Sequence, residues 1–223
     1  SGWSFYPAES NPFPKYPTTF GLTLVTTPIT INLSTKPGDT VTFNTYYEIE
    51  DALDFIAFSK MLNYTREANQ TPYRDMNYVI TGNIDMRILA ANSYQTPSVE
   101  FSGNLAGISE TTFIYGLKIV NGHVQESYYS GLFSVLLGNV YNLSFYESEI
   151  LLNDTESYAG VPLYVGMIAG ELRGGTIRNV LMDVTIDLGT MTLGESHIGG
   201  IAGKAAGYVR GVYVEGEILG REN

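Results

Sequence analysis

The sequence of 223 residues contains no cysteine, only two histidines, and 12 lysines and arginines against 23 aspartates and glutamates. The lack of cysteine excludes disulfides, a thiolate metal site and a cysteine nucleophile, and His123 and His197 are too few for the usual zinc ligand sets. The basic residues are scattered, and a net charge of −11 repels a phosphate backbone. We therefore predict no cofactor, no metal and no nucleic-acid partner.

Long apolar runs are also missing. No segment reaches the roughly 18 apolar residues of a membrane-spanning helix, so we predict no membrane insertion. Apolar residues nevertheless make up 44% of the chain and charged residues only 16%, a composition that can bury a core. The length predicts one domain, or one and a half.

Two features favour export from the cell. The sequence begins with Ser1 rather than Met, which indicates a processed or excised chain. It also contains five Asn-X-Ser/Thr triplets, although threonine-rich strands can produce such triplets without glycosylation. An exported protein without cysteine is typical of a bacterial, archaeal or protist surface protein, and we predict an extracellular or cell-surface location. The candidate glycosylation sites are Asn32, Asn63, Asn69, Asn142 and Asn153.

Prolines are rare after residue 40, since six of the nine precede it, and glycines are rare before residue 80, since 21 of the 24 follow it. The four prolines within residues 1–19 exclude a helix there and favour an extended arm rich in aromatic residues. Apolar residues alternate from Phe20 onward, and the turn at residues 36–39 predicts a hairpin. We therefore predict an extended arm and strands over residues 1–47. The proposed assembly residues of the arm are Trp3, Phe5, Tyr6, Phe13, Tyr16, Phe20, Leu22 and Leu24.

The periodicity changes between Glu48 and Asn69. Leu53, Ile56 and Ala57 lie on one side of a helix, and acidic residues occupy the first turn, where the helix dipole favours them. Residues 48–77 are therefore predicted to form a capping helix and a linker.

The remainder, residues 78–223, is repetitive. Segments 130–150, 165–186 and 198–218 each begin with glycine and apolar residues, turn at small residues and continue as a strand. Their register aligns Val140, Ile177 and Val209 as one apolar ladder. Self-similar short strands without intervening helices predict a β-solenoid rather than a sandwich, in which plain hairpin spacing would be expected.

The segments VGMIAGELRGGTIRNV and IGGIAGKAAGYVRGV resemble the GLUG-type repeat family, which occurs in bacterial surface proteins and in N-terminal parts of IgA-protease-like peptidases. The resemblance covers about residues 48–218 and implies an all-β fold, a right-handed parallel β-helix (β-solenoid) capped by one α-helix. Ser102 and Leu105 stand where the family usually has Asp and Gly. Nothing in the sequence resembles a peptidase metal site, and family membership says little about activity.

Because many parallel β-helices act on polysaccharides, paired carboxylates on neighbouring coils are the first catalytic candidates. Asp183 and Glu215 occupy equivalent positions in successive repeats, but an acidic solenoid often carries acids there, and a solvated face is the favoured interpretation. His123 and His197 are read as turn residues. A tyrosine row could bind sugars, although packing on the coils is favoured; its members are Tyr128, Tyr129, Tyr141 and Tyr146.

The last repeat is followed by only a few residues, and no cap is evident in this sequence. An open solenoid end together with an uncharged extended arm predicts head-to-tail self-assembly into a fibre, with the alternative that the arm folds back on its own solenoid. We therefore predict a non-enzymatic surface or fibre subunit with a possible adhesive role. Two alternatives remain: a carbohydrate-binding or carbohydrate-active module, and a non-catalytic N-terminal piece of a larger surface protease.

Overall fold

A computed structural model describes residues 20–34, 36–65, 71–90, 93–124, 126–152, 161–189 and 194–220. Strands dominate these ranges, with one α-helix, α1 (Ala52–Leu62), and a 3-10 helix at Met86–Ile88. The first eleven strands are β1 (Thr23–Val25), β2 (Ile29–Asn32), β3 (Thr40–Phe43), β4 (Tyr46–Ile49), β5 (Asn77–Ile80), β6 (Ile84–Asp85), β7 (Tyr94–Gln95), β8 (Glu100–Phe101), β9 (Asn104–Gly107), β10 (Phe113–Tyr115) and β11 (Lys118–Asn121). The other ten are β12 (His123–Val124), β13 (Tyr128–Ser130), β14 (Phe133–Leu136), β15 (Asn139–Leu151), β16 (Leu163–Val165), β17 (Ala169–Leu172), β18 (Thr176–Asp187), β19 (Ser196–Ile198), β20 (Ala202–Ala205) and β21 (Tyr208–Leu219).

The strands stack as a parallel β-solenoid of about five turns. The main sheet contains the parallel series β4, β5, β9, β15, β18 and β21, one strand from each successive coil. A second sheet stacks β8, β14, β17 and β20, and a third stacks β13, β16 and β19. The predicted all-β solenoid with one helix is therefore confirmed.

Apolar ladders that run from coil to coil hold the solenoid together. Val140 pairs in register with Ile177, and Ile177 pairs with Val209, as the repeats predict. Inside the second sheet, the rings of Phe101 and Phe133 stack with their centroids 4.5 Å apart. Because the register places equivalent positions of successive coils beside one another, the inward side chains of each coil are buried by those of the next coil.

The helix closes the N-terminal end of the core. Its first free backbone N–H groups are capped by Asp51, whose side chain accepts hydrogen bonds from Leu53 and Asp54. Its buried face includes Phe55, stacked on Tyr94 at 5.3 Å between centroids. Strand β4 is the first strand of the parallel series and precedes this helix, so the parallel stack begins at residues 46–49, across the predicted boundary between residues 47 and 48 and before the repeats predicted from residue 78.

The segment before β4 packs on its own chain. Strand β1 pairs antiparallel with β4 and occupies the N-terminal edge of the main sheet. The β2–β3 hairpin lies over the outside of the same sheet and forms a second apolar cluster, in which Ile31 and Phe43 pack with Val79 and Ala106. The hairpin therefore adds a second layer across several coils.

Polar contacts fix the far end of this hairpin. The side-chain amide of Asn142 donates to the backbone oxygen of Asn32 at 2.8 Å, and the amide of Asn179 donates to the backbone oxygen of Leu33. Both asparagines adopt the left-handed conformation, with φ of 51° and 55°, which asparagine tolerates better than most residues. Arg178 forms a two-point ion pair with Asp39, with one N–O distance of 2.8 Å.

Three glycines at equivalent positions of successive coils, which we call the glycine column, lie where the coils stack too closely for a side chain. Gly103, Gly138 and Gly175 each precede equivalent, register-paired strand positions in successive coils. A Cβ atom at Gly138 would lie 1.8 Å from the backbone oxygen of Gly103, and one at Gly175 would lie 1.8 Å from the oxygen of Gly138. No side chain fits at these positions without separating the coils.

The glycine column leads to a first prediction. Gly138→Ala should lower the free energy of unfolding by about 1–3 kcal/mol, because the added methyl group must push two coils apart. Gly174→Ala is the matched control, since its Cβ would meet nothing nearer than 3.7 Å, and a change within about 0.5 kcal/mol is expected. Urea denaturation measures both values, and equal losses would contradict the packing argument.

The hairpin ion pair leads to a second prediction. Hydrogen bonds from the side chains of Arg178 and Ser34 lower the pKa of Asp39 from 3.8 to about 2. The positive charge of Arg210 acts in the same direction. A carboxyl whose pKa is lower in the folded state stabilises the fold above its unfolded pKa and loses that contribution as the pH falls through the folded value. Asp39→Asn should therefore destabilise the protein at neutral pH, and its difference from the unmodified chain should shrink between about pH 4 and pH 2. Urea denaturation over this pH series tests the prediction, which a pH-independent difference would contradict.

Candidate functional site

The last coil is the candidate site; we name residues 194–220, which contain β19, β20 and β21, the terminal coil. Each of its strands pairs with the preceding coil through one edge, β19 with β16, β20 with β17 and β21 with β18. Within the described ranges, the opposite edge of each strand has no paired strand. Three sheets of the solenoid thus end together in backbone groups available for pairing.

The inward residues of the terminal coil are exposed although they occupy core positions. Their equivalents one coil earlier are at most 1% exposed, whereas these residues are 40–50% exposed. The difference arises because burial of each coil depends on the next one. The exposed residues are Val209 (43%), Val214 (40%) and Ile218 (50%), above Ile177, Met182 and Ile186 respectively.

A cleft of about 150 Å³ opens beside this apolar row. Its lining is mostly aliphatic, with two acidic residues, and consists of Val184, Ile186, Gly200, Val214, Glu215, Gly216, Glu217 and Ile218. A Cβ atom at Gly200 would lie 2.6 Å from a methyl group of Val214, so a glycine at this position keeps the space open. The terminal coil therefore combines unpaired strand edges with an apolar cleft.

The opposite end of the solenoid is closed. Helix α1 covers the interior there with Phe55, Phe58 and Met61, all fully buried. Strand β1 occupies the edge of β4. The two ends therefore differ. The N-terminal end is covered by α1 and β1, whereas the terminal coil exposes apolar side chains and unpaired strand edges.

Charged residues of the terminal coil lie on its outer side. Lys204 is 3.3 Å from a carboxylate oxygen of Glu171 in the preceding coil. Arg173 also pairs with Glu171 at 2.8 Å. Burial favours the neutral form of Glu171, but the bonds from Arg173 and Lys204 outweigh it and lower the pKa of this carboxyl. The ion pair between Lys204 and Glu171 links neighbouring coils. The apolar row of Val209, Val214 and Ile218 itself contains no charged side chain.

The predicted carboxylate pair has the predicted register. Asp183 and Glu215 are direct neighbours in β18 and β21. Both side chains are exposed to solvent on the outside of the coils. A register shift between Phe145 and Ser148 in β15 interrupts the column toward the N-terminus. Two exposed acids in this setting have the arrangement of a solvated acidic face.

The two histidines lie in one row, which the sequence did not reveal. Register pairing places His123 beside Tyr129, Tyr129 beside Tyr164, and Tyr164 beside His197. The rings of Tyr129 and Tyr164 stack at 5.4 Å, and those of Tyr164 and His197 at 4.9 Å with an angle of 3°. Burial lowers the pKa of His123. The coil spacing that the repeat glycines indicate could have revealed Tyr129, Tyr164 and His197 as neighbours in advance, but not His123, which joins the row through an antiparallel strand pair.

The other tyrosines named as sugar-binding candidates do not join this row. Tyr128 is fully buried in the core, and Tyr141 packs with the apolar cluster under the hairpin. Tyr146 contacts Phe113 edge to face at 5.7 Å. The stacked rings of the row cover one another's faces, which are the surfaces that would bind a sugar ring.

The sequon asparagines have different environments. Asn142 is fully buried, and its side chain donates to Asn32 and accepts from Asn179, so a glycan there is incompatible with this fold. Asn32 is exposed on β2, and Asn63 is exposed while its side chain accepts from the backbone of Ser98 at 2.7 Å. The candidates Asn69 and Asn153 lie outside the described residues.

The arm is only partly described. The structure places Phe20 edge to face against Tyr64, buries Leu22, and packs Leu24 partly against the main core. These three residues therefore contact their own chain. The remaining arm residues lie outside the described ranges; they are Trp3, Phe5, Tyr6, Phe13 and Tyr16.

Across the described ranges, no cluster of three or more acidic or histidine side chains is arranged to hold a metal ion. No helix in this part of the chain has the length and hydropathy needed to span a membrane. Comparison of the chain with protein-family models, curated proteins and solved structures gives no match. The resemblance to GLUG-type repeats therefore stays a prediction.

Proposed function

We propose that this protein is a non-enzymatic structural subunit that associates with other copies of itself through the terminal coil. The observation that supports the proposal most strongly is the exposure of Val209, Val214 and Ile218 at positions that are buried in the preceding coil. Exposure of such an apolar row to water is unfavourable, and a strand that covers the row removes this free-energy cost.

The chemistry of the terminal coil favours a β-strand as its partner. A strand can satisfy the unpaired backbone groups of β21 and cover the apolar row in the same step. A small polar ligand would leave both features unsatisfied. The terminal coil carries charges of both signs, and its net charge of −1 (two basic against three acidic residues) is small beside the −11 of the whole chain, so repulsion between copies is weakest at this end. These residues are Lys204, Arg210, Glu195, Glu215 and Glu217.

A second copy is the proposed occupant because the chain already uses its own N-terminal region to cover a coil edge, at β1 and β4. The two ends of the solenoid differ, so contact between the terminal coil of one copy and the N-terminal region of the next is heterologous. Repetition of such a contact without closure produces a fibre. We further propose an extracellular or cell-surface location, which the cysteine-free composition and the exposed sequon at Asn32 support.

The third prediction tests self-association. Val214→Lys places a charge in the exposed apolar row and should shift the protein from oligomers to monomers, because burying an unpaired charge opposes association. Ile108→Lys is the matched control, since Ile108 is 43% exposed and lies outside the terminal coil; it should associate like the unmodified chain.

Sedimentation velocity over a concentration series measures the assembly state, and circular dichroism verifies that each variant is folded. The proposal is contradicted if the unmodified protein is monomeric throughout, or if Val214→Lys assembles as well as Ile108→Lys. If β-coils that follow residue 223 cover the terminal coil instead, a longer chain containing them should be monomeric.

A further inference from the structure

We propose that residues 1–19 of one copy form the strand that covers the terminal coil of another copy, with one aromatic side chain in its cleft. This inference rests on the proposed function and names the segment that makes the contact. Its observations are the open edge of β21, the volume of the cleft and the composition of the N-terminal residues.

The described part of the N-terminal region already behaves as an edge strand. Thr23, Leu24 and Val25 pair antiparallel with Glu48, Tyr47 and Tyr46 of the first coil. The chain adjoining residues 1–19 is thus anchored at the closed end of the solenoid, where Phe20 packs against Tyr64 and Tyr73. A strand from this end extends toward a neighbouring molecule without loss of the contacts that β1 makes.

The length of the segment is sufficient. Nineteen extended residues span at most about 60 Å at roughly 3.3 Å per residue. Five coils at about 4.8 Å per coil extend only about 24 Å. The segment could therefore reach the terminal coil of its own chain or that of a neighbour, so the experiment must separate the two arrangements.

The sequence of the segment suits an added strand. It carries only two charged residues, Glu9 and Lys15. Pro12 and Pro14 are two residues apart, so in an extended chain the positions without N–H groups face the same side. Between Pro7 and Pro17, the alternate positions, which include Phe13, keep the N–H groups that can pair with the edge of β21.

The cleft is large enough to hold one aromatic ring. A protein cavity of about 150 Å³ lined by apolar side chains binds benzene. The cleft of the terminal coil also measures about 150 Å³, and valine and isoleucine line it together with Glu215 and Glu217 at its edge. Residues 1–19 contain five aromatic side chains at positions 3, 5, 6, 13 and 16. A Phe or Tyr ring of this segment would fill the cleft and bury the exposed valines.

The absence of cysteine makes engineered cross-links specific. Phe13→Cys in one tagged copy is mixed with Tyr213→Cys in an untagged copy under oxidising conditions, and Ser10→Cys serves as a second arm position on the opposite face of an extended strand. Tyr213 is 58% exposed on β21, so its replacement leaves the core intact. Cross-strand neighbours lie close enough for a disulfide. The control partner is Ile88→Cys, which is 72% exposed and outside the terminal coil.

A disulfide-linked pair of tagged and untagged copies is expected with Tyr213→Cys and not with Ile88→Cys. A cross-link that forms only within a single chain carrying both cysteines would overturn the inference, because the arm would then cover its own solenoid. Oligomers that persist after deletion of residues 1–19, without cross-links at either arm position, would overturn it while leaving self-association through the terminal coil intact.

Trp3 provides a second readout, since it is the single tryptophan of the chain. Its emission should shift to shorter wavelength as the protein concentration rises, and the shift should be lost in Val214→Lys but not in Ile108→Lys. Emission that is independent of concentration and of both substitutions, in a protein that still assembles, would also overturn the proposed role of the arm.

Discussion

Burial of each coil by the next one is the constraint on which the structure depends. Phe145 and Met182 are fully buried only because they are register neighbours within a stack. No coil has an independent core, so the first and last coils must be covered by something other than a regular coil. This requirement accounts for most of the irregular features of the molecule.

The N-terminal end meets the requirement with three elements from the same region of the chain. Helix α1 covers the interior, β1 covers the edge of β4, and the β2–β3 hairpin covers the outer face. The hairpin reaches as far as Arg178 in the fifth strand of the parallel series. The terminal coil receives none of these elements within the described residues, and its exposed valines follow directly from that difference.

Much of the fold could be predicted from the repeats. Equivalent positions in the repeats identified Ile177 and Val209 as neighbours, and the glycines marked the turns, since both signals recur at one spacing. The same alignment contained the signal for the site: Val209 and Val214 occupy core positions in the last described coil, and no further strand covers them within the described residues. The sequence predicted an open end and placed Val209 in the apolar ladder, but it did not single out the exposed valines as a site.

Other features depend on tertiary contacts that no local pattern encodes. Strand β4 lacks the glycine turn of the later repeats, so the sequence did not identify it as a coil strand and divided it between the N-terminal segment and the helix segment. Asn142 reads as a glycosylation triplet, yet the fold buries it in the left-handed conformation as an anchor for the hairpin. Phe20 and Leu22 belong to an arm for which the sequence left both self-assembly and folding back open, and in the structure they pack against their own chain.

Hydrogen exchange of the backbone amides of β21 shows whether a strand of another copy covers the terminal coil, because an edge strand exchanges rapidly until a partner strand accepts its hydrogen bonds. If it does, protection over Tyr208–Leu219 rises with protein concentration, while β15 stays protected throughout. Protection of β21 that does not change with concentration would contradict this proposal.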